Sequence, residues 1–93
     1  MKLQVKFTNK FKKDLKLANK QNKNLNKLYI VIEKLANLEK LDEKHNDHPL
    51  SGNFIGFREC HIEPDWLLIY YIENNTLTLV LTRLGSHSEL FKR

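Results

Sequence analysis

Groups able to move protons or hold charge crowd into "FRECHIEPDWLLIYYI", residues 57–72: Arg58, Cys60, His61 and Asp65, with Trp66 beside them. Two more histidines lie outside it, His48 in "DHPLSG" and His87 in "RLGSHSELF", where Arg83 and Phe91 flank the second. Taken singly, each residue has an ordinary structural explanation. A loop histidine is usually solvated, an aspartate after Pro64 suits a turn, and a tryptophan usually packs in a core. Arg58 has Glu59 and Glu73 as candidate ion-pair partners. As a set, these residues fit one chemistry. Cutting a ribonucleotide chain needs a base for the 2′-hydroxyl, an acid for the departing 5′-oxygen and a cation for the phosphate. Imidazole serves both proton roles near neutral pH, and arginine serves the third.

Other chemistries fit less well. No His-x-x-x-His or Cys-x-x-Cys spacing marks a metal site, so neither a metal nor another cofactor is expected. Cys60 stands within an apolar strand pattern, where thiols are usually inert. The three glycines are scattered and form no phosphate-binding loop.

The elements that must hold these residues can be read from periodicity. "KLQVKF" (2–7) alternates like a strand, with Leu3, Val5 and Phe7 on one face. Thr8 or Asn9 caps a helix over about 9–20, with Phe11, Leu15 and Ala18 at helical spacing. Asn22 or Asn24 opens a second helix to about residue 38, whose stripe of Leu25, Leu28, Tyr29, Ile32, Leu35 and Ala36 reads as core. Pro49 and Gly52 mark a loop. Three strand-like runs follow, about 54–62, 66–73 and 76–83, parted at hairpin distance by Pro64-Asp65 and Asn74-Asn75. Ser86 with Glu89 is a capping-box pattern opening a short last helix. The order β-α-α-β-β-β with a C-terminal helix implies an α+β domain, two N-terminal helices packed on one face of an antiparallel-rich sheet. The other face is expected to be largely open.

Ninety-three residues suffice for one domain, 1–93, with a modest core. No apolar run approaches the roughly 20 residues that cross a bilayer, so no membrane association is expected. The single cysteine and the lack of a secretory leader pattern suit a cytoplasmic protein. Charge is divided unevenly. Residues 1–40 hold eleven lysines against Asp14, Glu33 and Glu39, a net of +8, while residues 41–93 net −3. A flank that basic attracts phosphate polymers or an acidic partner.

The segments "DHPLSG" (47–52), "FRECHIEPDWLLIY" (57–70) and "RLGSHSELF" (83–91) together resemble the YafQ branch of the RelE-like toxin family. The strand and two lysine-rich helices ahead of them match that family's order. The resemblance implies a RelE-like fold and the toxin of a bacterial type II toxin–antitoxin module. It implies a metal-independent mRNA endonuclease acting in the ribosome's decoding site, and a cognate antitoxin that blocks the toxin; the +8 flank predicts that this antitoxin binds through an acidic segment. Operator DNA would be bound only through the toxin–antitoxin complex. The family's important positions fall on His48, His61, Asp65 and His87, and supporting ones on Trp66, Arg83 and Phe91. His87 is expected at one end of a proton relay, and His48 and His61 share the other. Asp65 orients a histidine or takes part in proton transfer, Arg83 holds the scissile phosphate, and Phe91 and Trp66 stack on bases. His45 matches no family position and reads as surface. The competing class is a toxin-like interaction module without catalysis, acting by binding its antitoxin or another target.

Overall fold

A computed structural model describes residues 2–91. The first strand, β1 (Gln4–Phe7), leads to Thr8, whose hydroxyl accepts the Phe11 N–H at 3.0 Å and so caps α1 (Asn9–Lys20). That hydroxyl also donates to the Thr82 carbonyl at 2.7 Å, fastening the helix start to the sheet. Asn24 caps α2 (Leu25–Ala36) by accepting the Asn26 N–H at 3.1 Å. After a 3-10 turn (Glu43–His45) come β2 (His48–Pro49), a second 3-10 turn (Gly52–Phe54), β3 (Arg58–Glu63), β4 (Trp66–Glu73) and β5 (Thr78–Gly85). The last element is α3 (His87–Leu90), opened by Ser86 in a complete capping box with Glu89.

The strands lie in the order β1-β5-β4-β3-β2. β1 runs parallel to β5 and the other neighbours are antiparallel. The expected α+β fold is the observed one, with an added edge strand of two residues. β4 lies inside the sheet and Trp66 through Tyr70 are all buried, which matches the apolar run read from the sequence. α1 and α2 cover one face. There Phe11, Ala18, Leu28, Val31, Leu35 and Ala36 meet Cys60, Ile62, Trp66, Leu68, Tyr70, Leu79, Leu81 and Leu84. Each fully buried aliphatic side chain contributes about 1.5–3 kcal/mol through apolar area removed from water.

Four expectations need correction. Tyr29 is half exposed and not core, because the buried stripe of α2 runs through Leu28, Val31 and Leu35, one position round the helix. The strand expected from residue 54 starts at Arg58, since residues 52–57 form a 3-10 turn and a bend around Gly56 at φ +94°. The last strand is shifted two residues onward, to Thr78–Gly85. Finally, the second sheet face is not left open. Leu67 and Ile69 are covered by Leu90 of α3, with Leu50, Phe54, Phe57 and Phe91 packed around them.

Candidate active site

Strand parity decides which side chains reach this second face. In β3, Cys60 and Ile62 enter the helix-side core, so Glu59 and His61 point the other way. Their cross-strand partners Ile69 and Leu67 belong to the small cluster on that face. β2 pairs His48 with Glu59, which brings the loop histidine to the same place. From the other side, the β3–β4 turn carries Asp65 and the start of α3 carries His87. Asp65 Oδ1 accepts the His87 backbone N–H at 3.1 Å and the ring Nδ1–H at 3.0 Å.

The result is a continuous array. Glu59 Oε2 lies 3.4 Å from His48 Nε2 and 3.5 Å from His61 Nε2. The His61 and His87 ring centroids are 5.7 Å apart, and Phe91 lies 6.3 Å beyond His87. Two of the imidazoles have one nitrogen assigned by a hydrogen bond. His48 Nδ1–H donates to the Asn46 carbonyl at 2.6 Å, leaving Nε2 toward Glu59. His87 Nδ1–H serves Asp65 and leaves its own Nε2 free. A carboxylate that holds an imidazole in one tautomer and balances its charge when protonated is a recurring proton-transfer device. Asp65 is held below the usual carboxylate range, first by the His87 backbone N–H and then by its ring. It is ionised at neutral pH.

Thus His48, His61, Asp65 and His87 stand together, with Phe91 at the margin. Trp66 does not join them as expected, and Arg83, on the same face, is already paired. Trp66 is 2 % exposed and faces the helix-side core, with Lys23 Nζ 6.0 Å from its ring, so it offers no surface for a base. Arg83 is the partner of Ile69 on the site face, but its Nε donates to Asp14 Oδ2 at 2.8 Å and its Nη2 to Oδ1 at 3.2 Å. The same carboxylate accepts the Leu84 N–H at 2.9 Å where β1 no longer covers β5. Three of the five guanidinium N–H groups are left over.

Three residues have roles here that the sequence does not assign to them. Glu59 is 5 % exposed and sits between His48 and His61, although its sequence neighbour suggested a pair with Arg58. Its i, i+2 relation to His61 was the available signal. His45 is not a free surface group, since its Nδ1–H donates to the His61 carbonyl at 2.6 Å and steadies the unpaired edge of β3. Asp47 is the third; it bonds Arg58 and Tyr70. Cys60 is buried, and burial, with Asp47 and Glu59 nearby, pushes its thiol well above the ordinary range, so it is no nucleophile.

Donor atoms of Glu59, His61 and His87 also lie within 4.8 Å of one another. Two imidazoles and a carboxylate suit a first-row transition ion. Glu59 and His61 come from β3 and His87 from α3, far along the chain, so no His-x-x-x-His or Cys-x-x-Cys spacing marks the set.

Residues 3–92 match the family model for the bacterial toxin of type II toxin–antitoxin system, YafQ. The mRNA interferase toxin YafQ of Escherichia coli K12 is 39 % identical over 88 residues, covering 94 % of each chain. Among solved structures, a metal-bound toxin from Helicobacter pylori is 49 % identical with a TM-score of 0.91, covering 96 % of this chain and 99 % of that one. The toxin in the E. coli DinJ–YafQ toxin–antitoxin complex is 37 % identical with a TM-score of 0.87, covering 98 % and 99 %. No helix among the described residues is long and apolar enough to cross a membrane. The order of elements, the histidine array and these likenesses agree: the chain belongs to the YafQ family of toxins of bacterial type II toxin–antitoxin systems.

Proposed function

We propose that this toxin is an mRNA endonuclease, metal-independent and acting on the ribosome. The observation carrying the proposal is the line of Asp65, His87, His61, Glu59 and His48 across one sheet face. One imidazole removes the 2′-hydroxyl proton, and the 2′-oxygen attacks the adjacent phosphorus. A second imidazole, protonated, gives its proton to the departing 5′-oxygen. The products are a 2′,3′-cyclic phosphate upstream and a 5′-hydroxyl downstream. His87, fixed by Asp65, stands at one end of the relay, and His61 and His48 share the other through Glu59. The uncommitted N–H groups of Arg83 hold the phosphate while Asp14 fixes the guanidinium. Phe91, half-buried against Phe54 with ring centroids 5.3 Å apart, supplies a surface for a base.

The E. coli relative is named an mRNA interferase, and its family has been seen with an antitoxin. The antitoxin of this protein would offer an acidic segment to the exposed lysines of α1, Lys10, Lys12, Lys13, Lys16 and Lys20. Because a H. pylori relative is described as metal-bound, the donors Glu59, His61 and His87 are the ones that would hold an ion here. Such an ion would supply positive charge and occupy imidazole lone pairs.

The test is cleavage of a reporter mRNA in a translating extract. Wild-type protein should cut it, and His87→Ala should lower the rate by about 10²-fold or more, the usual scale for a lost acid or base. Equal inhibition of translation by both proteins, with intact mRNA, would favour a toxin that acts by binding alone.

A further inference from the structure

His48 stands on the least secure element of the site. β2 has two residues, lies at the sheet edge, and follows Asn46 in a left-handed conformation at φ +45°. So short a strand has little to fix its own register or tilt. Something else must hold the histidine, and the residue before it is placed to do so.

Strand alternation puts Asp47 and His48 on opposite sides of the sheet. Below the sheet, Asp47 Oδ1 accepts the Tyr70 hydroxyl at 2.6 Å and the Arg58 Nε–H at 3.3 Å. Tyr70 and Arg58 are cross-strand partners on β4 and β3. Tyr70 is 1 % exposed and sits in the helix-side core, on a strand with neighbours on both sides. Burial, together with the Asp47 carboxylate, raises its phenol above the ordinary range, so the hydroxyl keeps its proton and remains a donor. A short charge-assisted bond to a rigid donor of this kind holds geometry well. Above the sheet, His48 Nε2 faces Glu59 at 3.4 Å.

We propose that Asp47, gripped by Tyr70 and Arg58 on the helix side of the sheet, is the positioning residue that sets His48 beside Glu59 on the reacting side. The inference rests on the reading of His48 as part of the proton relay. Asp47 itself touches no substrate in this arrangement. The clamp turns a two-residue edge strand into an extension of the core.

The test uses Tyr70→Phe, Asp47→Ala and Asp47→Asn, each alone and combined with His48→Ala. Tyr70→Phe keeps the core volume, so it reports on the clamp even if an Asp47 variant folds poorly. With a cleaved RNA substrate, Tyr70→Phe and Asp47→Ala should lower kcat roughly tenfold or more at nearly unchanged KM, as displacement of a reacting group does. Asp47→Asn should retain most activity, because its amide oxygen still accepts from Tyr70. In the His48→Ala background none of the three should lower kcat further. Where His48→Ala is itself impaired, the same loss of kcat in that background, or full activity of Tyr70→Phe and Asp47→Ala, would overturn the clamp. Imidazole proton–carbon NMR spectra measure placement without reference to catalysis. The His48 signal should move toward that of an exposed histidine in Tyr70→Phe and Asp47→Ala, while His87 stays in place. An unmoved His48 signal overturns the proposal. A moved signal together with a fully active His48→Ala would uphold the clamp as geometry and refute the catalytic reading of His48.

Discussion

Asp65 lies at the surface, yet two hydrogen bonds from one neighbour keep its carboxyl below the ordinary range. The sign of the consequence is fixed. A carboxyl whose pKa is depressed by folding contributes its full stabilisation above the unfolded value, about 3.9 for aspartate, and loses it as pH falls through the lower folded value. The link between the β3–β4 turn and α3 should therefore be intact at neutral pH and open only in acid. Followed by NMR, the His87 backbone amide should shift as Asp65 protonates, with a midpoint below that of an exposed aspartate. Asp65→Asn should abolish that transition. A midpoint at or above the exposed value would contradict the bond geometry. Glu59 shows why residue type alone does not reveal a site. His48, His61, Asp65 and His87 stand out in the sequence because histidine and a turn aspartate suggest chemistry. A glutamate beside an arginine suggests an ion pair, and only strand parity turns it toward the histidines.

α3 is a single turn, and its capping box holds two side chains of the candidate site at once. Ser86 Oγ accepts the Glu89 N–H at 3.2 Å, and Glu89 Oε1 accepts the Ser86 N–H at 2.8 Å. Ser86→Ala should cost about 1 kcal/mol in urea unfolding. Cleavage should suffer more than stability, because His87 and Phe91 both lose their placement. Equal activity of Ser86→Ala and wild type at a temperature well below unfolding would show that the cap does not position them. Elements with such local signals were legible: the caps at Thr8, Asn24 and Ser86, and the apolar run of β4. β2 was not, because two residues carry no period, and neither was the irregular stretch before β3. The burial of Trp66 and the pairing of Arg83 with Asp14 were hidden for a related reason. Their roles depend on which face each strand end presents, and the β4–β5 ladder slips register between Ile69 and Tyr70. Asp14, which takes the Arg83 guanidinium, is distant in sequence and carries no motif.

Over the whole molecule, charge and chemistry are segregated. The lysines concentrate in residues 1–40, which net +8, while the histidine array stands on the sheet face turned away from α1 and α2. A partner attracted by the helices therefore need not occupy the histidines to bind quickly. Association with an acidic antitoxin segment should slow as salt rises from low to physiological strength, whereas dissociation, governed by buried apolar anchors, should change little. Stopped-flow rates at two ionic strengths would show this, and a salt-independent association rate would count against it. The ends of the cleaved RNA report on the reaction itself. Chemical mapping of the upstream fragment from a ribosome-bound message should find a 2′,3′-cyclic phosphate with wild-type protein and about 10²-fold less of it, at equal time, with His87→Ala. An upstream 3′-hydroxyl would mean attack by water on the phosphate, and would contradict the proton relay assigned to these histidines.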